Sequence, residues 1–419
     1  MKTGAWIVLI CVAFAVGGGW LYSEYHNAKS RHPIKVGILH SLTGTMAISE
    51  KAVVDATLLA IEELNSAGGL IGREIEPVLV DGKSDWPTFA QEAERLITIE
   101  KVSAVFGCWT SASRKTVKPF FEKYNHLLFY PVQYEGLEQS PNIIYTGAAP
   151  NQQITPAVSW SVQNLGKRLF LVGSDYVFPR VANEIIKDLA TALGAEIVGE
   201  EYLLLGSKDV DDVIQKIASA KPDVILNTIN GDSNISFFKG LKYAGFKSET
   251  VPVMSFSIAE NEFSSLGVEN VVGHYASWNY FQGIKSDANS RFVNNFKKKY
   301  GNDRHVSDPM EAAYIAVHLW AQAVKEAGTD NVHKVRQALK DQSFHAPEGL
   351  VYLDIENQHI WKIARIGKAM NDGQFEIVWD SNKPIQPHPY PRTRFKSEWN
   401  EFLHGIYEGW GHKWANPGE

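Results

Sequence analysis

Polar and aromatic side chains cluster where four predicted strands end. Aromatic faces can sandwich a flat ligand, and hydroxyl, amide and carboxylate groups can pair with its donors and acceptors. This set therefore suits a small, planar, uncharged ligand that forms hydrogen bonds, and it does not suit acid–base catalysis. The candidate ligand-binding residues are Trp109, Ser111, Tyr130, Gln133, Asp175, Tyr176 and Asp232.

Each of these residues also has a purely structural interpretation. Trp109 can be a core residue, and Tyr130 can be a strand residue with its hydroxyl at the surface. Asp175 can cap a helix that begins near Pro179, and Asp232 can cap the following helix. Taken together, four such clusters at strand ends favour a binding cleft, because ligands of open α/β sheets bind beyond the carboxyl ends of the strands.

The sequence lacks the motifs that mark common enzyme classes. It has no Walker A loop, no G-x-G-x-x-G after a strand, no His-Glu-x-x-His and no G-x-S-x-G elbow. Of the two cysteines, Cys11 lies in an N-terminal apolar run and Cys108 follows a predicted strand. Cys108 is better explained as a small buried residue than as a nucleophile. We therefore predict a binding protein, not an enzyme, with no metal and no cofactor.

The overall charge argues against a nucleic-acid partner. The chain of 419 residues has 41 basic and 47 acidic side chains, which gives a formal net charge of -6. Binding to phosphates needs clustered Lys and Arg, and no such cluster stands out. An aromatic content of 11% excludes a disordered chain.

The N-terminus predicts export. Lys2 precedes an uncharged run over residues 6–22, which as a helix would be about 25 Å long. A small-x-small site at residues 13–15 favours a cleaved signal peptide, whereas the aromatic end of the run suits an uncleaved anchor. A buried core helix is the third interpretation. We assign residues 1–33 to a signal peptide or membrane anchor plus linker. The rest is then expected in the periplasm, free after cleavage or tethered to the inner membrane by the anchor.

From Ile34 onward, short apolar strands alternate with amphipathic helices, and the pattern restarts near Asn151. Such alternation predicts an α/β fold with parallel βαβ units, here in two lobes. Strands are predicted at residues 34–39, 75–80, 102–106, 127–130, 169–173, 197–205, 223–229, 251–256, 271–278, 360–366 and 375–379.

The C-terminal stretch, residues 384–419, is rich in Pro and Trp. Trp399, Phe402, Ile406 and Trp410 recur at helical spacing. We expect this extension to pack on the lobes as an aromatic helix; a partner-binding surface is the alternative.

Several long motifs resemble the urea and short-chain-amide branch of ABC-transporter substrate-binding proteins. They include GCWTSASRK, FYPVQYEG, VGSDYVFPR, NTINGDSN and DPMEAAY. The resemblance implies a type I periplasmic-binding fold, in which two Rossmann-like lobes joined by three crossovers close on a ligand. It places lobe 1 at 34–149 and 279–350 and lobe 2 at 150–278 and 351–383, with crossovers near Ala149, Trp278 and Leu350.

Amide-sensing regulators of the same family imply which residues hold the ligand. Carried over by motif, these are Trp109, Ser111 and Tyr130 from the first lobe and Tyr176 from the second. The regulators carry Pro where this chain has Gln133, and the Val-Gln form resembles the urea-transport branch. Urea has a second NH2 where acetamide has a methyl, and the Gln133 carbonyl offers that NH2 an acceptor.

The favoured function is an exported receptor that delivers urea, or a short-chain amide, to an ABC permease. The main alternative is a membrane-tethered amide or urea sensor that acts through a partner protein. A cytoplasmic amide-responsive regulator is disfavoured by the apolar N-terminus, and an amidohydrolase is disfavoured by the missing catalytic motifs.

Overall fold

The computed structural model describes residues 32–418. The apolar run at residues 6–22 lies outside this range, so its two interpretations stay predictions. Within residues 32–418, no helix is both long enough and apolar enough to cross a membrane. The described chain forms two α/β lobes, each built on its own sheet.

The first sheet has five parallel strands in the order β2-β1-β3-β4-β5. Its strands are β1 (Ile34–His40), β2 (Ile75–Asp81), β3 (Val105–Gly107), β4 (Leu128–Tyr130) and β5 (Ile143–Tyr145). The connecting helices are α1 (Ala47–Ser66), α2 (Trp86–Thr98) and α3 (Ser111–Lys123). Buried apolar side chains line both faces of the sheet, as parallel strands require.

The second sheet has seven strands in the order β14-β13-β10-β9-β8-β6-β7. Five are parallel: β6 (Arg168–Ser174), β7 (Glu196–Leu203), β8 (Val224–Thr228), β9 (Val253–Ser255) and β10 (Tyr275–Trp278). The antiparallel edge consists of β13 (Arg365–Ala369) and β14 (Phe375–Asp380). Its helices are α4 (Ile154–Asn164), α5 (Val177–Ala192), α6 (Asp211–Ala220), α7 (Ser233–Tyr243), α8 (Phe263–Leu266) and α9 (Val268–Val271).

The chain then returns to the first lobe. It adds the helices α10 (Asp287–Tyr300), α11 (Asp308–Ala327) and α12 (Val332–Ala338) and the hairpin β11 (Ser343–Ala346) and β12 (Gly349–Tyr352). Helix α11 packs lengthwise on α1, and its buried face joins the core beneath the first sheet.

Two predicted strands are misplaced. The apolar run at residues 102–106 supplies only its last two residues to β3, and residues 360–366 belong mostly to a crossover. Val351, Leu353 and Ile360 pack in the core of the first lobe, so the chain crosses to the second sheet after Ile360 rather than near Leu350. Buried crossover residues are apolar for the same reason as strand residues, and the sequence pattern does not separate the two.

The three crossovers lie side by side and are hydrogen-bonded to one another. The Asn279 side-chain amide donates to the carbonyls of Gln152 (3.1 Å) and Ile363 (3.0 Å). The Gln152 amide in turn donates to the Ile360 carbonyl at 3.0 Å. Three adjacent crossover segments that join two lobes are the arrangement expected of a hinge.

The C-terminal helix α13 (Lys396–Gly409) packs on the second lobe. Trp399 is fully buried there, and its indole N–H donates to the Pro391 carbonyl at 3.1 Å. Beyond the helix, the Trp414 carbonyl accepts from the Val177 backbone N–H at 3.0 Å. The Trp414 ring also lies 5.1 Å from the Lys115 ammonium of the first lobe, so this tail touches both lobes.

Candidate functional site

The turn from β3 to α3 brings two of the predicted residues to the carboxyl edge of the first sheet. Cys108 has a left-handed backbone with φ of 66°, which turns the chain sharply after the strand. Thr110 caps α3 by accepting from the Ser113 backbone N–H, so Ser111 occupies the first position of that helix. Trp109 and Ser111 are both buried. Burial also raises the pKa of the Cys108 thiol, which argues against a nucleophile.

A buried ionic cluster lies directly behind Ser111. The Ser111 hydroxyl donates to Glu135 in a very short hydrogen bond and accepts from Arg114 at 3.1 Å. The Arg114 guanidinium also pairs with Glu135 (3.2 Å) and Glu138 (3.0 Å). The Lys115 ammonium pairs with the Glu138 carboxylate at 3.1 Å, so two cations neutralise two carboxylates. The Ser111 proton is therefore committed to Glu135, and its oxygen can offer a ligand only an acceptor.

Tyr130 ends β4 beside this cluster. Its hydroxyl donates to the Trp109 carbonyl at 2.6 Å, so this oxygen too is free only to accept. The Arg114 guanidinium carbon lies 4.8 Å from the centre of the Tyr130 ring. Tyr130 is fully buried, and burial is the main cause that raises the pKa of its hydroxyl.

Gln133 reaches from the first lobe to the second. Its amide nitrogen donates to the Phe256 carbonyl at 2.8 Å, just beyond β9. That contact fixes the orientation of the amide, and its oxygen, Oε1, is buried without a hydrogen-bond partner among the described residues. A buried acceptor without a donor is uncommon in native proteins, and this one is available to a ligand.

Tyr176 is the predicted ligand residue of the second lobe whose hydroxyl the first-lobe groups influence. It lies between β6 and α5 and is buried. Burial is the largest cause that raises the pKa of its hydroxyl, and Tyr130 and Glu135 raise that pKa further. The charges of the first-lobe cluster thus act on a second-lobe side chain. A tyrosine hydroxyl in this place can donate to the carbonyl oxygen of a ligand.

The two predicted aspartates are already engaged with other groups. The Asp175 carboxylate accepts from Arg180 at 2.7 Å and from Asn416 of the C-terminal tail at 2.6 Å. Asp232 accepts a very short hydrogen bond from Thr45 of the first lobe. Neither aspartate caps a helix with its side chain: the residue before α5 is Tyr176, and Asp232 precedes α7 without such a bond. The Asp175 carboxylate thus links the second lobe to the C-terminal tail, and the Asp232 carboxylate links the second lobe to the first.

Several hydrogen-bonded pairs connect the lobes across the cleft. The indole of Trp109 donates to Asn230 at 3.3 Å, and Ser49 donates to Glu262 at 2.7 Å. Gln133–Phe256 and Thr45–Asp232 are further pairs of this kind. The cleft is therefore closed, and the residues named here are buried rather than open to solvent.

The large groove beside the cleft is a different surface. It has a volume of about 960 Å³, and residues of both lobes line it, among them Lys51, Asp55, Glu260 and Arg304. Of the seven predicted ligand residues, only Asp232 borders it. We place the candidate site in the closed interface, because that is where the unpartnered acceptor and the aromatic rings lie.

Sequence reasoning missed the groups that orient the site. Arg114 and Glu135 stand three residues after Ser111 and two after Gln133, within the same motifs as the predicted ligand residues. A fully buried Arg cannot be distinguished from a surface Arg by its type. The buried Glu50 of α1 was also missed. Among residues 32–418, no group of three or more His, Cys, Asp or Glu side chains is placed to hold a metal ion.

Comparison with known proteins agrees with this architecture. A family model described as periplasmic binding protein domain matches residues 34–396. Leu/Ile/Val-binding protein homolog 6 of Brucella melitensis is 24% identical over 84% of this chain and 91% of its own length. A protein named limonene hydroxylase from Geobacillus stearothermophilus is 33% identical over 124 residues, but this chain spans only 23% of that protein.

Solved structures with the same fold carry different ligands. A solute binding protein of an ABC transporter from Rhodopseudomonas palustris in complex with p-hydroxybenzoic acid has a TM-score of 0.77 and 22% identity, over 85% of this chain and 98% of its own. A branched-chain amino acid transporter substrate binding protein from Streptococcus pneumoniae in complex with isoleucine has a TM-score of 0.73 and 23% identity, over 85% and 100%.

The relatives that match most of this chain are named as binding proteins, not as enzymes. An extracytoplasmic location and partnership with an ABC transporter fit the family. The family match over residues 34–396 leads to one conclusion, with which the two-sheet architecture agrees: the chain belongs to the periplasmic binding protein domain family.

Proposed function

We propose that this protein captures urea in its interlobe cleft and delivers it to an ABC permease. The observation that carries the proposal is the unpartnered oxygen of Gln133, whose amide nitrogen is held by the Phe256 carbonyl. A ligand with N–H donors would satisfy this oxygen. Urea offers two NH2 groups, and acetamide offers only one, with a methyl in place of the other.

Two further oxygens support a ligand that is rich in donors. The Ser111 and Tyr130 hydroxyls both donate their hydrogen bonds to protein acceptors, so each oxygen can offer a ligand only a lone pair. We call the oxygens of Ser111, Tyr130 and Gln133 the acceptor-rich wall. Urea would bring four N–H groups to this wall and one carbonyl to the Tyr176 hydroxyl. Because unpaired buried acceptors cost about 1–3 kcal/mol each, matching them is a source of specificity.

The charges of the wall favour a neutral ligand over a carboxylate. Benzoates and amino acids carry a carboxylate, which needs a cation or several free donors. The two cations behind Ser111 are Arg114 and Lys115, and both are already paired with Glu135 and Glu138. An added carboxylate would have to break these buried pairs.

A ligand panel followed by thermal unfolding tests the proposal. The panel contains urea, formamide, acetamide, leucine, isoleucine and 4-hydroxybenzoate. At about 100 times Kd, a ligand that binds only the native cleft adds roughly 2.7 kcal/mol to the free energy of unfolding. We expect the largest rise in melting temperature with urea. A rise with leucine or 4-hydroxybenzoate and none with urea would refute the proposal.

The N-terminal assignment is part of the same proposal. A cleaved signal peptide yields a free periplasmic receptor, whereas an uncleaved run at residues 6–22 tethers the receptor to the inner membrane. Mass spectrometry of the mature protein distinguishes the two, because cleavage removes the run and an anchor keeps it.

A further inference from the structure

Glu50 is a buried carboxylate with one oxygen unused. It lies in the first turn of α1 and is only 1% exposed. Its Oε2 accepts from the Ser41 backbone N–H at 2.8 Å and pairs with His40 Nδ1 at 2.8 Å. Its other oxygen, Oε1, is buried and has no hydrogen-bond partner among the described residues. The two Oε2 contacts hold the carboxylate in one orientation.

Three neighbours place Glu50 at the interface between the lobes. Ser49, the preceding residue, donates to Glu262 of the second lobe at 2.7 Å. The pKa of the Tyr176 hydroxyl is raised mainly by burial, and the charge of Glu50 contributes to that rise. Burial likewise raises the pKa of the Cys108 thiol, with Glu50 as the next cause. The charge of Glu50 therefore acts on the strand end of one lobe and on Tyr176 of the other.

We infer that Glu50 is a further ligand-binding residue, whose Oε1 accepts an N–H of the ligand held between Ser111, Gln133 and Tyr176. The inference rests on the proposed function and deepens it. A carboxylate acceptor strengthens the pairing with an NH2 group, because hydrogen bonds to a charged group are stronger than neutral ones. It also repels a ligand whose only charge is a carboxylate, and so helps to select urea against benzoates.

The substitution Glu50→Gln gives a sharp test, because the orientation of the new amide can be predicted. The atom that replaces Oε2 must accept a hydrogen bond. The Ser41 backbone N–H always donates, so the glutamine carbonyl is expected to take that place. Its NH2 then lies where Oε1 was, and a donor faces the N–H of the ligand. We expect the Kd for urea to rise by about tenfold to a hundredfold, while the melting temperature without ligand stays close to that of the wild type.

Glu62→Gln is the matched control, because Glu62 lies on the same helix with its side chain 56% exposed. Its Kd for urea should equal that of the wild type. Calorimetry on the full-length protein with urea, formamide and acetamide separates the outcomes. If the wild type binds urea and Glu50→Gln binds it equally well, this inference fails and the proposed function survives. If the wild type binds none of the three, both fail.

A crystal structure of the wild type with urea provides a second test that needs no variant. A urea nitrogen within about 3.2 Å of Glu50 Oε1 supports the inference. A bound urea whose nitrogens contact other groups only, with Oε1 paired to water or to protein, overturns it. This result stands even if Glu50→Gln does not fold.

Discussion

At the scale of single residues, hydrogen bonds decide what each side chain can offer a ligand. The sequence indicated Ser111, Tyr130 and Gln133 as polar groups near strand ends. It did not indicate that the donor of each is engaged by a protein acceptor, which leaves only an acceptor for another partner. Each group is left with only an acceptor because of a partner elsewhere in the sequence, such as Phe256 for Gln133 and Glu135 for Ser111. Residue types alone cannot reveal this, since a hydroxyl or an amide can serve either way.

Gln133→Leu should separate urea from acetamide. It removes the free oxygen, and the Phe256 carbonyl keeps a donor because Gln153 also donates to it at 3.2 Å. Urea would then bury an unpaired NH2 and lose about 1–3 kcal/mol, roughly five- to a hundredfold in Kd. Acetamide has a methyl to place there and should lose less. Calorimetry with both ligands measures the ratio, and equal losses would mean that Gln133 supports the loop instead.

At the scale of elements, the sequence predicted most helices and strands where buried periodic residues recur. It missed the short strand β5, the hairpin of β11 and β12 and the helix α4, and it misplaced the strand now seen at β13. These elements carry weak patterns, because β5 has three residues and β13 follows an apolar crossover. The C-terminal helix was predicted from its aromatic spacing, and Trp399 is its buried contact with the second lobe.

Trp399→Ala tests how much that helix stabilises the molecule. The substitution leaves a cavity in a fully buried site, and we expect a loss of about 3–5 kcal/mol in the free energy of unfolding. Phe395→Ala, just before the helix, removes a ring that is 79% exposed and should change stability by less than about 0.5 kcal/mol. Unfolding is followed by circular dichroism in guanidinium, since urea is the proposed ligand. Similar effects of the two variants would contradict the packing argument.

The 3₁₀ turn Glu260–Glu262 gives the cleft a dependence on pH. Burial raises the pKa of Glu262 to about 7, and Glu262 meets Ser49 only when the lobes are closed. The closed form is therefore favoured at pH values below this pKa. It becomes less stable relative to the open form as the pH rises through the pKa, because closure must then bury an ionised carboxylate. We expect the Kd for urea to rise by about tenfold between pH 6 and pH 8.

Glu262→Gln is the control for this pH effect, because it cannot ionise. Its carbonyl can still accept from the Ala259 backbone N–H, and its NH2 can donate to the Ser49 hydroxyl. Its Kd should change much less over the same range. Burial also raises the pKa of Glu260 in the same turn, to about 8. Glu260 is unchanged in Glu262→Gln, so the difference between the two proteins isolates the contribution of Glu262. An identical pH dependence in the wild type and in Glu262→Gln would assign the effect to another group.

At the scale of the whole molecule, two lobes meet through polar contacts and are joined by three adjacent crossovers. A ligand that touches both lobes binds the closed form better and shifts the population toward it. Small-angle scattering should therefore give a smaller radius of gyration with saturating urea than without it. An unchanged radius would indicate a site on one lobe or a cleft that is closed before the ligand arrives.

The two-lobed α/β fold was predictable because alternating strands and helices leave few other arrangements. The closed interface was not, since contacts such as Thr45–Asp232 and Trp109–Asn230 join residues more than a hundred positions apart. The bonds that close the cleft are also the ones that determine which groups face a ligand. Fold and family follow from local pattern and motif, whereas ligand selectivity depends on long-range pairing.

Calorimetric titration of the purified protein with urea tests the central claim most directly. The account predicts a saturable signal with one urea per chain, and no signal from leucine or 4-hydroxybenzoate under the same conditions. Saturable binding of leucine or 4-hydroxybenzoate, with none of urea, would contradict it, because the acceptor-rich wall around Gln133 would then be recognising a carboxylate.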